Sequence, residues 1–472
     1  MKKSLIVLGI AYCFFSCKEH ASTKQSLKED YTIISGKIVN TDTKKIDLTS
    51  SVMFSANPNP KYSIPVLKDG TFRDTLTLTP GHYQFTEGEN STELHLFKGA
   101  DINISYNAKD FKKTLNFSGK GSGVAKFLLE KNKITTKVYA RDSVTGTNIY
   151  NNTEKDFKAK IDLVKSDLEL ALSSNKNISE DIRAIEKRDI HYLHVDFINR
   201  FKGVHAFISG DSTYIPSKKF TKELDELTYD NEEDFIYSRT YAYLLLEHFR
   251  DKAIKKESER YPSNMELLKS FLNIPNESIK NTMLAFYGKS SLPRAKNLKD
   301  MYTLLNSNST NNKDKESFTQ LYNDLKLLTK GQPSPMFENY ENYEGGAMSL
   351  KDLKGKYVFI DVWATWCGPC KYEIPYLEKL EKEYHNKNVA FISLSVDRKN
   401  AYDAWKEMIK NKNMGGIQLL ADHDFKSKFI QDYKIRAIPR FILIDPQGNI
   451  ISANAPKPSS AEIRPLLDEL IN

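Results

Sequence analysis

One short stretch limits what this chain can fold into: VFIDVWATWCGPCKYEIP, residues 358–375. It begins with a nearly continuous apolar run, which is typical of a strand buried on both faces of a sheet. Two cysteines, Cys367 and Cys370, follow with two residues between them. We predict that a helix begins at this pair. Cys367 would then lie at a helix N-terminus, where free N–H groups and the helix dipole stabilise a negative charge.

That position favours a reactive thiol, because a helix N-terminus lowers the pKa of a thiol and yields the thiolate that attacks disulfides. Cys370 stands one helical turn after Cys367, within reach for a disulfide bond. We therefore predict that Cys367 is the exposed nucleophile and that Cys370 resolves the mixed disulfide. A structural zinc site would need a second CxxC motif, which the sequence lacks. We expect no metal, and no cofactor besides the redox-active Cys367–Cys370 disulfide.

The other two cysteines, Cys13 and Cys17, lie in or beside a segment with the marks of a targeting signal. Lys2 and Lys3 form a basic start. Residues 5–15 form an apolar run of signal-peptide length, which is short for a membrane span. The context of Cys17 resembles the lipobox of bacterial lipoproteins, in which cleavage leaves a lipidated cysteine at the N-terminus.

This resemblance implies a lipoprotein-type signal peptide over residues 1–16, a lipid on Cys17 and a tether over residues 17–30. Phe14 and Phe15 depart from the lipobox, which favours an aliphatic and a small residue at those positions. An ordinary cleaved signal and an uncleaved anchor are the alternatives. If Cys17 carries lipid, the CxxC motif holds the remaining thiols of the mature protein.

The chain length and the distribution of charge limit the classes of protein to which this sequence can belong. The 472 residues are enough for several domains, so the cysteine pair is not needed as a stabilising staple. The 69 basic and 61 acidic residues are interspersed and give a net charge of +8. This is typical of a solvated surface and not of a nucleic-acid-binding protein. No later apolar run predicts a second membrane span.

The first of three regions, residues 31–118, contains short β-branched and aromatic runs separated by turn residues. Asp69-Gly70 and Pro80-Gly81 are strong turn signals between alternating segments. We predict an N-terminal antiparallel β-domain. The region resembles the β-domain that often precedes a thioredoxin-like domain in exported bacterial lipoproteins.

The second region, residues 119–330, contains long charged segments with apolar residues at helical spacing, for example residues 154–174, 234–253 and 314–330. This periodicity predicts a central α-helical domain. It carries no catalytic motif, so its role stays open.

A linker, KGQPSPMF, separates the helices from the third region, residues 331–472. Its glycine and two prolines stop the last helix and keep the chain extended. The strand before Cys367 and the helix after it are followed by strand, helix, strand and helix patterns. A hairpin over residues 435–451 and a closing helix over residues 459–471 complete an α/β unit.

The sequence WCGPC resembles the thioredoxin active site, and DVWATWCGPCKYEIP resembles the TlpA/ResA branch of exported disulfide reductases. The resemblance implies a C-terminal α/β thioredoxin-like fold. It assigns Asp361 to the buried acid that assists proton transfer at the resolving cysteine. It assigns Glu373 to the carboxylate after the CxxC motif, which we expect to face the thiols with a raised pKa as a general base; a solvated helix-face charge is the alternative. Pro375 matches the proline that kinks the helix.

The resemblance also covers the substrate-binding face. Ile438 and Pro439 match the cis-proline element, which offers its backbone to a substrate chain, and Trp366 is the expected aromatic contact. Arg440 stands where the family usually has threonine, and Ala437 replaces a common glycine. Arg440 either lowers the pKa of Cys367, biases substrate choice or is a surface charge.

The leading hypothesis is a membrane-tethered protein-disulfide reductase in the cell envelope, facing the periplasm. The resemblance implies protein thiol or disulfide substrates, apocytochrome c among them, and a membrane electron donor of the DsbD/CcdA type. A peroxidase would need a PxxxTxxC context, which is absent. A metallochaperone would pair the cysteines with a distant histidine such as His423. A binding or scaffolding lipoprotein with an accessory redox domain is the remaining alternative. His191 and His194 are predicted to be core or surface residues and not metal ligands.

Overall fold

The computed structural model describes residues 30–55, 59–139, 147–254 and 262–471. The predicted signal peptide, Cys17 and almost all of the predicted tether lie outside the described residues. Within them, N-terminal sheets are followed by a helical region and then by a thioredoxin-like α/β region. Across these described ranges, no helix is long and apolar enough to cross a bilayer.

The N-terminal region contains two four-stranded sheets and one short helix. Apolar and polar residues alternate along most of these strands, so each sheet buries one face. The elements are β1 (Thr32–Val39), β2 (Lys45–Ser50), β3 (Lys61–Pro65), β4 (Thr71–Leu76), β5 (Gly81–Glu87), β6 (Asn90–Leu96), β7 (Asp101–Asn107), α1 (Phe111–Thr114) and β8 (Asn116–Lys120).

One sheet has the strand order β4-β1-β7-β8 and the other β3-β2-β5-β6. Their apolar residues join in one hydrophobic cluster, which includes Ile34 and Ile104 of the first sheet and Leu48 and Phe85 of the second. The prediction of an antiparallel domain is wrong for one pair, because β1 and β7 are parallel. Alternation along the sequence predicts which side chains are buried, whereas it does not predict which distant strand pairs with which.

The turn before β4 confirms one signal read from the sequence. Gly70 has a φ of +81°, which favours glycine. A Cβ atom at this position would lie 2.0 Å from the carbonyl oxygen of Ile38. Oδ1 of Asp69 accepts a hydrogen bond from the backbone N–H of Thr71 at 3.0 Å. The Asp-Gly pair therefore forms a turn, as predicted, through the positive φ of the glycine and the side-chain hydrogen bond of the aspartate.

The central region is helical throughout its described length. Most of its helices begin after a serine, threonine or asparagine that accepts a hydrogen bond from the first turn. The helices are α2 (Ser122–Tyr139), α3 (Glu154–Ser174), α4 (Glu180–Ser209), α5 (Lys218–Asp225), α6 (Glu232–Tyr237), α7 (Arg239–Ala253), α8 (Asn264–Phe271), α9 (Glu277–Ser291), α10 (Leu298–Asn308) and α11 (Asn312–Lys326).

The helix expected over residues 234–253 is two helices, α6 and α7. Ser238 ends the first and caps the second, because its Oγ accepts a hydrogen bond from the backbone N–H of Tyr241 at 3.0 Å. The same hydroxyl donates to Asp189 on α4. A serine inside an apolar helical pattern was therefore the unrecognised sign of a helix boundary.

The C-terminal region is one seven-stranded sheet with helices on both faces. The strand order is β10-β9-β13-β12-β11-β14-β15. The elements are β9 (Tyr340–Asn342), β10 (Ala347–Met348), β11 (Tyr357–Trp363), α12 (Gly368–Tyr384), β12 (Val389–Ser395), α13 (Tyr402–Lys412), β13 (Ile417–Leu420), α14 (Lys428–Asp432), β14 (Arg440–Ile444), β15 (Ile450–Ser452) and α15 (Ile463–Ile471).

The central strand β11 is parallel to β12 and antiparallel to β14. One face of the sheet packs on α12 and α15, for example through Phe359 and Leu380. The other face packs on α13 and α14, through residues such as Ile360 and Trp405. Burial on both faces explains why β11 is apolar in sequence, as predicted.

The predicted linker is extended, and it pairs with the sheet. The backbone N–H of Gly331 donates to the carbonyl of Ile450 at 2.8 Å, and the N–H of Ile450 donates to Gln332 at 2.8 Å. The Oγ of Ser334 lies 2.7 Å from the hydroxyl of Tyr433. A single hydrophobic cluster continues from helices α7–α11 into the sheet. The helical region is therefore packed directly against the thioredoxin-like region.

Candidate active site

The two cysteines lie at the junction of β11 and α12. β11 ends at Trp363, and Cys367 is the N-cap residue of α12, as the sequence predicts. A disulfide bond joins Cys367 to Cys370. The backbone N–H of Cys370 donates to Sγ of Cys367 at 3.1 Å. The first turn of the helix therefore directs a backbone donor at the sulfur that we expect to react.

The prediction that Cys367 is exposed is wrong for this disulfide form. Cys367 is 4% exposed and Cys370 is 1% exposed. Both belong to the large hydrophobic cluster, which also contains Trp363 at the end of the preceding strand. The adjacent residue Trp366 is 61% exposed, so the indole and not the sulfur forms the surface here.

A carboxylate that the sequence analysis missed holds the loop before Cys367. Asp397 is buried two residues after the end of β12. Its Oδ2 accepts from the backbone N–H of Thr365 at 2.9 Å, and its Oδ1 accepts from the Thr365 hydroxyl at 2.8 Å. The Oγ of Ser395 also donates to Oδ2, at 2.8 Å. Because β11 and β12 are parallel neighbours, an aspartate after the second strand lies beside the loop that follows the first.

Asp361 lies within β11 on the face that packs against α12. It is 2% exposed, and its Oδ1 has no hydrogen-bond partner among the described residues. Burial, followed by the charges of Glu373 and Glu381, raises the pKa of Asp361 from 3.8 to about 8. Asp361 is therefore largely protonated at neutral pH. Its carboxyl group gains or loses its proton at a pH close to neutral.

Glu373 lies on α12 one turn after Cys370, and it is 3% exposed. The solvated-charge alternative is therefore wrong. Its Oε2 accepts from the backbone N–H of Ser459 at 2.9 Å, and its Oε1 accepts from the Ser459 hydroxyl at 2.8 Å. Nζ of Lys457 lies 3.5 Å from Oε1. These three donors compensate the burial of a negative charge.

A third carboxylate, Glu381, lies two turns further along α12. Burial, followed by the charge of Glu378, raises the pKa of Glu381 to about 7. Its carboxylate packs against the backbone at Gly415 and Gly416, where an added Cβ would lie 2.6 and 2.7 Å from the two oxygens. The helix thus places two acids, Glu373 and Glu381, where both act on Asp361.

The surface next to the cysteines is aromatic. The ring of Trp366 lies 6.3 Å from that of Phe425, centroid to centroid. The Ile438–Pro439 peptide bond is cis, and Ile438 packs against the cluster that contains both cysteines. Phe425 was missed by the sequence analysis, because no local pattern distinguishes it from a core residue. The exposed part of this face is therefore formed mainly by the indole of Trp366.

Arg440 is not a surface charge, so that alternative is wrong. It is 2% exposed, and its Nε donates to the carbonyl of Ala453 at 2.7 Å. On β14 it lies opposite Val362 of β11, whose side chain belongs to the face shared with the helical region. Alternation in the strand sends the side chain of Arg440 away from α12 and from Asp361.

The polar partners of His194 and His423 are residues other than the cysteines. His194 is buried, with Nε2 3.2 Å from Nζ of Lys158. His423 is 75% exposed in its side chain, and its Nδ1 lies 3.0 Å from the carboxylate of Asp422. Among the residues the structure describes, no three His, Cys, Asp or Glu side chains are grouped so that they hold a metal ion.

Comparison with known proteins identifies the C-terminal region. The Redoxin family model matches residues 329–468. The thiol-disulfide oxidoreductase ResA of Bacillus thuringiensis is 34% identical over 128 residues, which cover 27% of this chain and 70% of ResA. The chain belongs to the ResA-like thiol-disulfide oxidoreductases. ResA of Bacillus subtilis is 29% identical over 124 residues, 26% of this chain and 66% of that relative.

This ResA-like chain is also similar to solved structures. A thiol-disulfide oxidoreductase from Bacteroides fragilis is 27% identical and covers 29% of this chain and all of that one, with a TM-score of 0.26. The thioredoxin domain of an oxidoreductase from Bacteroides vulgatus is 28% identical and covers 30% of this chain and 98% of that one, with a TM-score of 0.28. The reported matches cover under a third of the ResA-like chain.

Proposed function

We propose that this ResA-like protein is a protein-disulfide reductase that is tethered to a membrane and faces the periplasm. The observation that carries the proposal is the Cys367–Cys370 disulfide at the start of α12, together with the buried Asp361 in the preceding strand. The Gly-Pro sequence between the cysteines favours reduction, because thioredoxin has a potential of about −270 mV and strong oxidants lie near about −120 mV.

The reaction consists of two exchanges. In the reduced protein, the thiolate of Cys367 attacks one sulfur of a substrate disulfide, and the other substrate sulfur leaves as a thiolate and takes a proton. Cys370 then loses its proton and attacks Sγ of Cys367, which releases the second substrate thiolate. Two electrons pass to the substrate, and the Cys367–Cys370 disulfide is formed. A membrane dithiol donor of the DsbD/CcdA type then returns two electrons and two protons.

Asp361 is the proposed acceptor of the proton that Cys370 loses. A carboxyl group with a pKa near 8 is a better base than an exposed aspartate, and it exchanges protons near the working pH. Glu373 is proposed to act with it, since its charge raises the pKa of Asp361. Trp366, Ile438 and Pro439 are proposed to contact the substrate chain, the last two through their backbone.

The tether and the partners rest on the sequence. Lipid on Cys17 would hold the protein at the surface of a membrane. Oxidised exported proteins and apocytochrome c are the proposed substrates, because their thiols are exposed to an oxidising compartment.

The redox state of the motif in intact cells tests the reductase proposal. Acid quenching followed by alkylation with a mass-tagged maleimide should add two tags per mature chain, and the Cys367→Ser/Cys370→Ser double variant should accept none. Cys17 adds no tag if it carries lipid. Deletion of a candidate membrane donor should shift the wild-type protein to the untagged disulfide. A motif that stays oxidised in cells with an intact donor would contradict a reductase.

The tether has its own measurement. Wild-type protein should sediment with membranes, and the Cys17→Ala variant should not acquire lipid. If wild-type and variant fractionate alike and carry no lipid, the lipoprotein proposal is wrong and the reductase proposal is unaffected.

A further inference from the structure

A cleft of about 530 Å³ lies between the helical and thioredoxin-like regions. Residues 292, 293, 295, 296, 298, 325 and 328–330 of the helical side line it, together with Arg440, residues 451–456 and Glu462 of the thioredoxin-like side. Its volume falls in the usual range of small-molecule sites. The cleft lies on the face of the sheet opposite to α12 and is distinct from the face that carries Asp361.

Arg440 brings a buried positive charge to this cleft. Its Nε donates to the carbonyl of Ala453 at 2.7 Å, and the residue is 2% exposed. No carboxylate among the described residues forms an ion pair with it. Burial, followed by the charge of Arg294, lowers the pKa of Arg440 to about 10. A guanidinium in such a position is costly unless an anion compensates it.

Arg294 brings a second guanidinium from the helical side. It lies between the cleft-lining residues Pro293 and Ala295, and its carbonyl accepts a hydrogen bond from Nδ2 of Asn454 at 3.3 Å. Its Nη2 is buried and has no hydrogen-bond partner among the residues that the structure describes. It too has no ion pair with a carboxylate in the described part of the chain. A buried donor of this kind normally has a partner, so its state requires an explanation.

We propose that this cleft binds a small oxyanion, such as phosphate, sulfate or a carboxylate, between Arg294 and Arg440. Guanidinium groups present parallel donors that match the paired oxygens of these anions. Lys296 and Lys330 line the cleft and add positive charge. Glu462 opposes them, but it is exposed and lies 3.5 Å from Lys296, which reduces its effect.

The bound anion joins the two regions of the molecule, because one arginine comes from each. Arg440 directly follows Pro439 of the cis peptide bond. The anion therefore contacts a residue that is adjacent in sequence to the proposed substrate-binding element. Occupancy of the cleft therefore stabilises the contact between the helical region and the thioredoxin-like region. This inference does not depend on the reductase proposal, since binding is measured without turnover.

Calorimetric titration of the full chain with sodium phosphate, sodium sulfate and sodium succinate tests the proposal, with sodium chloride at equal ionic strength as the reference. We expect saturable binding of at least one of the three anions and a matching rise in the thermal midpoint. Arg440→Gln and Arg294→Gln should each weaken binding at least about tenfold, which corresponds to about 1.4 kcal/mol. Lys299→Gln, which changes an exposed cation outside the cleft, should bind like wild type.

Two results would overturn the proposal: no saturable binding of any of the three anions by the wild-type chain, or unchanged binding in folded variants of both arginines. If the glutamine variants do not fold, Arg440→Lys and Arg294→Lys keep the charge and remove the paired donors, and the same loss of affinity is expected. Hydrogen exchange of the wild-type chain adds an independent measurement. The anion should slow exchange in residues 292–298 and 451–456, and unchanged exchange there would contradict binding at this cleft.

Discussion

Glu373 on α12 accepts two hydrogen bonds from Ser459, one from its backbone N–H at 2.9 Å and one from its hydroxyl at 2.8 Å, across 86 positions of sequence. Ser459 precedes α15, so a loop near the end of the chain holds a carboxylate one helical turn from Cys370. Because the charge of Glu373 in turn raises the pKa of Asp361, this loop contributes to the proton chemistry proposed for the cysteine pair.

Ser459→Ala tests this link. The substitution removes the hydroxyl donor and leaves the backbone donor. We expect a loss of about 1–3 kcal/mol in unfolding free energy, because a hydrogen bond to a buried charge is lost. Turnover should show an altered pH dependence. Urea denaturation and pH–rate profiles measure the two effects. Ser460→Ala, at the neighbouring position, is the control, and equal behaviour of the two variants would contradict the assigned role.

The sequence predicts those parts of the site whose residues lie close together along the chain. The apolar run predicts the buried strand, and a helix start at Cys367 follows it closely in sequence, whereas Asp361 was assigned by the resemblance to the thioredoxin active site. Asp397 and Ser459 come from other strands and loops, so their positions depend on strand order and loop path. Asp397 carried a weak signal, as an aspartate two residues after an apolar strand, whereas Ser459 carried none.

In the N-terminal β region, too, the features that are local in sequence were predicted and the long-range contacts were not. The alternation that predicts β1 and β7 as half-buried strands is local, whereas their parallel pairing connects residues about 70 apart in sequence, such as Ile34 and Ile102. The fate of Arg440 was equally non-local. Its side chain lies on the face of the sheet that carries Val362, where the hydrophobic cluster continues into the helical region. The helical spacing of apolar residues predicted the helices, but it did not predict which surface of the sheet they cover.

Asp361→Asn should change how stability depends on pH. The pKa of Asp361 is raised from 3.8 to about 8, so the folded disulfide form retains a proton that the unfolded chain loses above pH 4. Wild-type stability therefore falls as pH rises from about 4 to about 8, with a limiting slope of about 1.4 kcal/mol per pH unit from this group. The amide has no proton to lose. Urea denaturation at several pH values should show the variant gaining on wild type up to about pH 8.

Glu381→Gln is the companion variant for this measurement. Removal of its charge should lower the pKa of Asp361 in the folded protein, so the pH-dependent loss of stability still begins near pH 4 but ends below pH 8. Parallel stability curves for wild type and Asp361→Asn would show that Asp361 titrates normally, and its proposed role as proton acceptor would then lose its basis.

Thr365→Val tests the loop that Asp397 holds. The variant keeps the backbone hydrogen bond and loses the hydroxyl bond of 2.8 Å to a buried carboxylate. We expect a loss of about 1.5–3 kcal/mol in unfolding free energy and a slower reaction of reduced Cys367 with iodoacetamide, because the loop before the nucleophile is less well held. Mass spectrometry of the alkylated peptide measures the rate. An unchanged alkylation rate would limit Asp397 to a structural role.

In the reduced wild-type protein, iodoacetamide should modify Cys367 before Cys370. Cys367 is the N-cap of α12 and is the more exposed of the two, although both are buried in the disulfide form. The helix N-terminus favours its thiolate. Limited alkylation at neutral pH followed by peptide mapping gives the order, and earlier labelling of Cys370 would reverse the assigned roles.

Cys370→Ser tests mechanism and partners together. Exchange passes through a mixed disulfide between Cys367 and the substrate, and the resolving thiol normally breaks this bond. Without that thiol the intermediate should persist. Trp366 is 61% exposed beside the motif, and we propose that Ile438 and Pro439 offer their backbone to the partner, so contacts besides the covalent bond are expected. The variant should accumulate in cells as adducts of higher mass that disappear on reduction, and mass spectrometry should identify cysteine-containing exported proteins.

The Cys367→Ser/Cys370→Ser double variant is the matched control and should form no adducts. If Cys370→Ser forms no adducts while its Cys367 remains reactive toward iodoacetamide, the protein does not exchange disulfides with protein substrates in the cell.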